Sequence, residues 1–122
     1  MEKLLFAELS YNIMGACFDV QKQLGGGHLE RVYHNALKES LNNRAIRFKD
    51  EVKTPVFYNE KMMGYGYADF VVENTIVLEI KREPNLHLGN IKQIEKYLVA
   101  LNLPLGILLH FGYERVIYKR VL

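Results

Sequence analysis

Disulfide bracing is excluded at once, because the chain of 122 residues has a single cysteine, Cys17, and a reducing compartment is the natural reading. No apolar run approaches the ~20 residues of a membrane-spanning helix. The start, Met1-Glu2-Lys3-Leu4-Leu5-Phe6-Ala7-Glu8, carries early acids and no long apolar core, unlike a signal peptide. Together these absences lead to the expectation of a cytoplasmic protein with no membrane partner. Charge of one sign is also lacking: 16 Lys and Arg stand against 14 Asp and Glu, a net +2, too mild to argue for or against nucleic acid by itself. Repeats, low-complexity segments and interdomain linkers are missing, so residues 1–122 are expected to form one domain. The four histidines have no zinc-binding spacing. His28 and His34 read as surface or capping residues.

What is present is a regular alternation of patterns. Residues 3 to 24 repeat apolar side chains at helical spacing (Leu5, Leu9, Ile13, Ala16, Cys17, Val20, Leu24). Cys17 reads as core. Gly25, Gly26 and Gly27 end the helix and form a helix-to-helix turn, lacking the Lys-Ser/Thr pair of a phosphate loop. A second helix is expected from Leu29 to Asn42, with Leu29, Val32, Tyr33, Ala36, Leu37 and Leu41 as its stripe. From Ile46 to Tyr58 the period shifts to two, and Pro55 makes that strand an edge or a bulge. Strands are expected from Met62 to Glu73 and from Thr75 to Arg82, joined by a tight turn at Glu73-Asn74-Thr75. A third helix spans Leu88 to Leu101. Leu105 to Phe111 is an almost unbroken apolar run, as a strand covered on both faces requires. A last strand runs from Arg115 to Leu122. The order α-α-β-β-β-α-β-β is that of an α+β or mixed α/β fold, a sheet of four to five strands flanked by helices. The helix before Leu105 permits a parallel crossover.

Three charges interrupt the central apolar hairpin. Glu79 and Lys81 alternate with Leu78 and Ile80, so they share one strand face, and Asp69 lies on the neighbouring strand. The plain reading is a polar face in water. Val77 on the same face and flanking strands on both sides argue against it, since a charge on a covered face is costly unless paired or metal-bound. Carboxylates from Asp69 and Glu79, with the Ile80 carbonyl, suit Mg²⁺ or Mn²⁺, and Lys81 would hold a water or a phosphate. Glu30, in the first turn of the second helix, is either a solvated acid complementing the helix dipole or a carboxylate aimed at that cation.

The pattern Asp69, then Glu79-Ile80-Lys81, within this order of elements, resembles the PD-(D/E)xK nuclease superfamily, with Ala68 in place of the proline. Gly27-His28-Leu29-Glu30-Arg31-Val32-Tyr33 is similar to the signature of its GxxExxY branch. Gln93-Ile94-Glu95-Lys96-Tyr97-Leu98 and Leu105 to Gly112 resemble that branch's later motifs. The resemblance implies a restriction-endonuclease-like fold and a metal-dependent nuclease acting on DNA, or alternatively RNA. Asp69 and Glu79 would then be metal ligands, Glu30 the helix-borne acid, Lys81 the catalytic lysine and Gln93 a contact to phosphate or water. Tyr97, one turn beyond Gln93, reads as packing.

The competing function is a catalytically silent module that binds nucleic acid or a protein partner. Its support is the mild charge: Lys92 with Lys96, and Arg115, Lys119 and Arg120, are the only basic clusters. A domain of this size covers little duplex, so a homodimer or a larger protein partner is an expected companion.

Overall fold

The computed structural model describes residues 6–122. Two helices come first, α1 (Ala7–Leu24) and α2 (Glu30–Asn43). They are followed by β1 (Phe48–Tyr58), β2 (Lys61–Val72), β3 (Ile76–Ile80), α3 (Leu88–Leu101), β4 (Leu105–Phe111) and β5 (Val116–Val121). This is the expected element order. The sequence-based start of the first helix, with Leu5, lies outside the described residues.

The five strands form one sheet in the order β1-β2-β3-β4-β5, antiparallel except for the parallel pair β3–β4. Alternation along β3 assigns its residues to two layers. Ile76, Leu78 and Ile80 join Ile13, Cys17, Leu37 and Leu41 under α1 and α2. Val77 joins Ile94 and Leu98 under α3. Leu105, Ile107, Leu108 and Leu109 of β4 are fully buried, as a strand covered on both faces must be. Helices on both faces of this mixed sheet give the restriction-endonuclease-like architecture.

Local chemistry accounts for the joints. The β2–β3 turn has Glu73 and Asn74 at φ 50° and 54°, and the Thr75 N–H donates to the Val72 carbonyl at 2.9 Å. Positive φ at both central residues is the type I′ geometry that matches strand twist. Helix α3 ends on Asn102 at φ 55°. The α1–α2 turn depends on Gly26, where an added Cβ would lie 2.5 Å from the Tyr113 Cα. The missing side chain lets that turn press against the β4–β5 connection.

Two features depart from a regular sheet. The β2–β3 ladder stops at Phe70–Leu78, whereas β1–β2 pairing continues to Tyr58–Lys61. The far part of β1 and β2 is therefore a two-stranded arm. At Glu51, φ is 52°, and the strands turn over. Asp50 and Phe70 face α2, where both meet His34. Two residues further along the arm, Val52 and Ala68 pack with the α3 layer. β1 is an edge strand, as Pro55 implies, with a register shift between Val56 and Phe57.

Several expectations need correction. Leu29 and Val32 are exposed; Tyr33, His34, Leu37, Ser40 and Leu41 form the buried face of α2. His34 is buried, its Nε2–H donating to the Asp50 carboxylate at 3.1 Å. His28 does cap, with Nε2 3.0 Å from the Leu24 carbonyl at the end of α1. Ile46 precedes its strand, and β3 ends at Ile80, although the Lys81 N–H extends the ladder to the Leu109 carbonyl at 2.6 Å.

Candidate functional site

β2, β3 and α3 place four sequence-predicted residues together. Where the β2–β3 ladder ends, side chains replace backbone rungs. The Asp69 N–H donates to Glu79 Oε1 at 2.7 Å, and the Ile80 N–H donates to Asp69 Oδ2 at 2.7 Å. Each carboxylate thereby satisfies an amide that the diverging strands would orphan. Lys81 Nζ donates to Gln93 Oε1 at 2.6 Å, and lies 3.6 Å from Glu79 Oε2. The Lys81 backbone is held as well: His110 Nδ1 is 3.0 Å from its carbonyl oxygen.

The electrostatics are those of carboxylates out of water. Glu79 is 4% exposed. Burial first, and then the Asp69 charge, push its pKa up to about 8, against the pull of the Asp69 N–H and Lys81. Burial also raises Asp69, opposed by the Ile80 N–H. The pair is therefore short of positive charge. Tyr97 packs against the α3 layer, as expected. Burial and then the charges of Glu79 and Asp69 raise its hydroxyl.

Glu30 opens α2 and shares a cleft with Lys81, while Asp69, Glu79 and Gln93 lie outside its lining. The cleft, of about 540 Å³, is lined by Glu30, Lys81, Arg82, His110 and Tyr113 among others. It lies beyond the carboxyl ends of the parallel strands β3 and β4, where open sheets form ligand crevices. Burial and then Asp69 raise the Glu30 carboxyl. Its position is set by Tyr33, three residues on: the Tyr33 hydroxyl donates to the Gly25 carbonyl at 2.6 Å, and its ring stacks on Phe111 at 4.7 Å. Among the described residues, no three His, Cys, Asp or Glu side chains form a ready metal cluster. Glu30 feels the Asp69 charge without joining its group.

The donor set nonetheless fits a hard cation. Asp69 Oδ2 and Glu79 Oε1 are taken by backbone N–H groups, so a cation would bind Asp69 Oδ1 and share Glu79 Oε2 with the Lys81 ammonium 3.6 Å away. Arg82 and His110 are cleft residues that sequence reasoning missed. His110 carries a weak signal, as the one polar side chain near the end of an apolar strand. Arg82 carries none.

A family model described as the PD-(D/E)XK nuclease superfamily matches residues 7–121. The crystal structure of SSO0001 is similar, with a TM-score of 0.60 and 24% sequence identity over 75% of this chain. At that identity the likeness concerns the fold alone, and this chain spans 48% of that one. No curated protein matches the sequence. Among the described residues, no helix is long and apolar enough to cross a membrane.

Proposed function

Because the chain belongs to the PD-(D/E)XK nuclease superfamily, we propose that it hydrolyses phosphodiester bonds of nucleic acid, DNA first, with Mg²⁺ or Mn²⁺. The observation that carries this reading is the reciprocal bonding of Asp69 and Glu79 with Lys81 alongside. Asp69 and Glu79, with the Ile80 carbonyl, would hold the cation. When bound, it would offset charge developing on phosphorus and lower the pKa of a water. Lys81, beside Glu79 Oε2, would orient a water or a phosphate oxygen and offset negative charge there. Gln93 keeps the lysine ammonium in place through its amide oxygen. Glu30 lines a cleft with Lys81 and would accept a proton or order a water. We also read Gly27, Glu30 and Tyr33 as the mark of the GxxExxY branch. The Tyr33 bond to Gly25 gives that spacing a physical purpose, since it fixes the loop that presents Glu30.

Plasmid and single-stranded DNA incubated with Mg²⁺ or Mn²⁺ test the proposal. Metal-dependent cutting that disappears in Lys81→Ala is the expected result. Cutting by neither protein, with DNA still bound in a salt-dependent way, would leave the silent binding module in its place.

A further inference from the structure

A second groove lies on the α3 side of the sheet, between the β1–β2 arm and α3, with a volume of about 650 Å³. We propose that this groove carries one strand of a nucleic acid beside the scissile bond, with its phosphates held by Lys92 and Lys96. The inference rests on the nuclease-like reading of the Asp69–Glu79 site and adds the path of the strand to it.

Three observations support the groove as a built site. First, its floor is open at Gly64, where nothing lies within 4 Å of an added Cβ, while two residues on along β2 the bare Gly66 lets the Tyr97 and Thr54 hydroxyls approach to 3.2 and 3.3 Å of where its Cβ would stand. Second, Thr54 lines the groove at 2% exposure, and its hydroxyl has no hydrogen-bond partner among the described residues. A buried hydroxyl left unpaired costs about 1–3 kcal/mol, so an incoming acceptor is the natural remedy. Third, the charge fits a polyanion. Lys92 and Lys96 line the groove, one helical turn or about 6 Å apart, and no acid among the described residues lines it. Gln93 lines it too, while bonding Lys81, so the groove and the proposed catalytic group meet at that residue.

The test is binding of a fluorescent thymidine homopolymer, followed by anisotropy over a range of salt. The protein carries Asp69→Asn, so that binding is read without turnover. The double variant Lys92→Ala/Lys96→Ala should lower the slope of log affinity against log salt by about 1.4, two contacts at roughly 0.7 each. Lys22→Ala, on α1, should leave the slope unchanged. Gly64→Leu, which has open space for its side chain, should weaken binding about tenfold or more while the protein stays folded. Thr54→Val should weaken it less. An unchanged slope in the double lysine variant, or undiminished binding in Gly64→Leu, would overturn the proposal. A groove covered by a second copy would appear as a dimer mass by light scattering that Gly64→Leu abolishes, and that too would overturn it. An inactive protein that meets the binding expectations would count against the nuclease reading and not against the groove. An active protein whose DNA binding ignores the lysines would do the reverse.

Discussion

Asp69 and Glu79 each bond to the backbone of the other's strand: the Asp69 amide donates to the Glu79 carboxylate, and the amide following Glu79 donates to the Asp69 carboxylate. The two acids are thus fixed by the same bonds that close the open end of the hairpin. The rotamers a cation would need are set by folding, before any ligand arrives.

Lys81→Ala should lower metal-dependent cleavage by at least about 10²-fold, with the circular dichroism spectrum unchanged. Gln93→Ala should lower it less, because Gln93 acts through the lysine, and Lys81 keeps its contact with Glu79. Initial rates on a labelled oligonucleotide check both.

Stability of the metal-free protein should fall as pH rises. The Glu79 carboxyl ordinarily titrates near 4.5 and here is pushed up to about 8. Between those values the folded protein keeps a proton that the unfolded chain has released. The stabilisation is complete below about pH 4.5 and is lost as pH climbs through about 8, by an amount on the order of a few kcal/mol. Melting temperatures from pH 5 to 8 should decline in the wild type and stay nearly level in Glu79→Gln. Mg²⁺ should raise the melting temperature more at pH 8 than at pH 5.

Replacements of Asp69 should separate charge from hydrogen bonding. Asp69→Asn retains an acceptor for the Ile80 N–H and removes a buried charge, so without metal it should unfold at a urea concentration no lower than the wild type. Asp69→Leu leaves that N–H without its acceptor and should cost about 1–3 kcal/mol relative to Asp69→Asn.

Two glycines should respond differently to alanine. At Gly26 the new Cβ meets the Tyr113 backbone at 2.5 Å, whereas at Gly106 it meets the Ile94 Cδ1 tip at 2.6 Å. A side-chain tip can rotate away and a backbone cannot. Gly106→Ala should cost about 1–3 kcal/mol and Gly26→Ala more, as read from urea midpoints.

The most legible parts of the fold carry their own boundaries. Helix α3 and strand β4 fall at the expected residues, because Asn102 and Pro104 punctuate them and the Leu105–Phe111 run is too apolar to be anything but buried. The hairpin turn was legible for the same reason, through Asn74. The turnover at Glu51 was not. An acid at positive φ leaves no trace in a strand of period two, and the register on either side of it is unchanged. The burial of His34 was hidden because it depends on Asp50 and Phe70, far away in sequence. The pairing of Lys81 with Gln93 was also beyond reach, since the crossover helix determines it. Alternation alone put Glu79 and Lys81 on one face, whereas the place of Asp69 depended on the register of the neighbouring strand.

The type I′ turn at Glu73–Asn74 makes the loop between Asp69 and Glu79 a ruler of fixed length. One residue added there would slide one strand past the other and send its acid to the far side of the sheet, leaving the fold's order intact and its reactive centre dismantled. The residue count of this hairpin is therefore as much a part of the reactive centre as the acids it aligns.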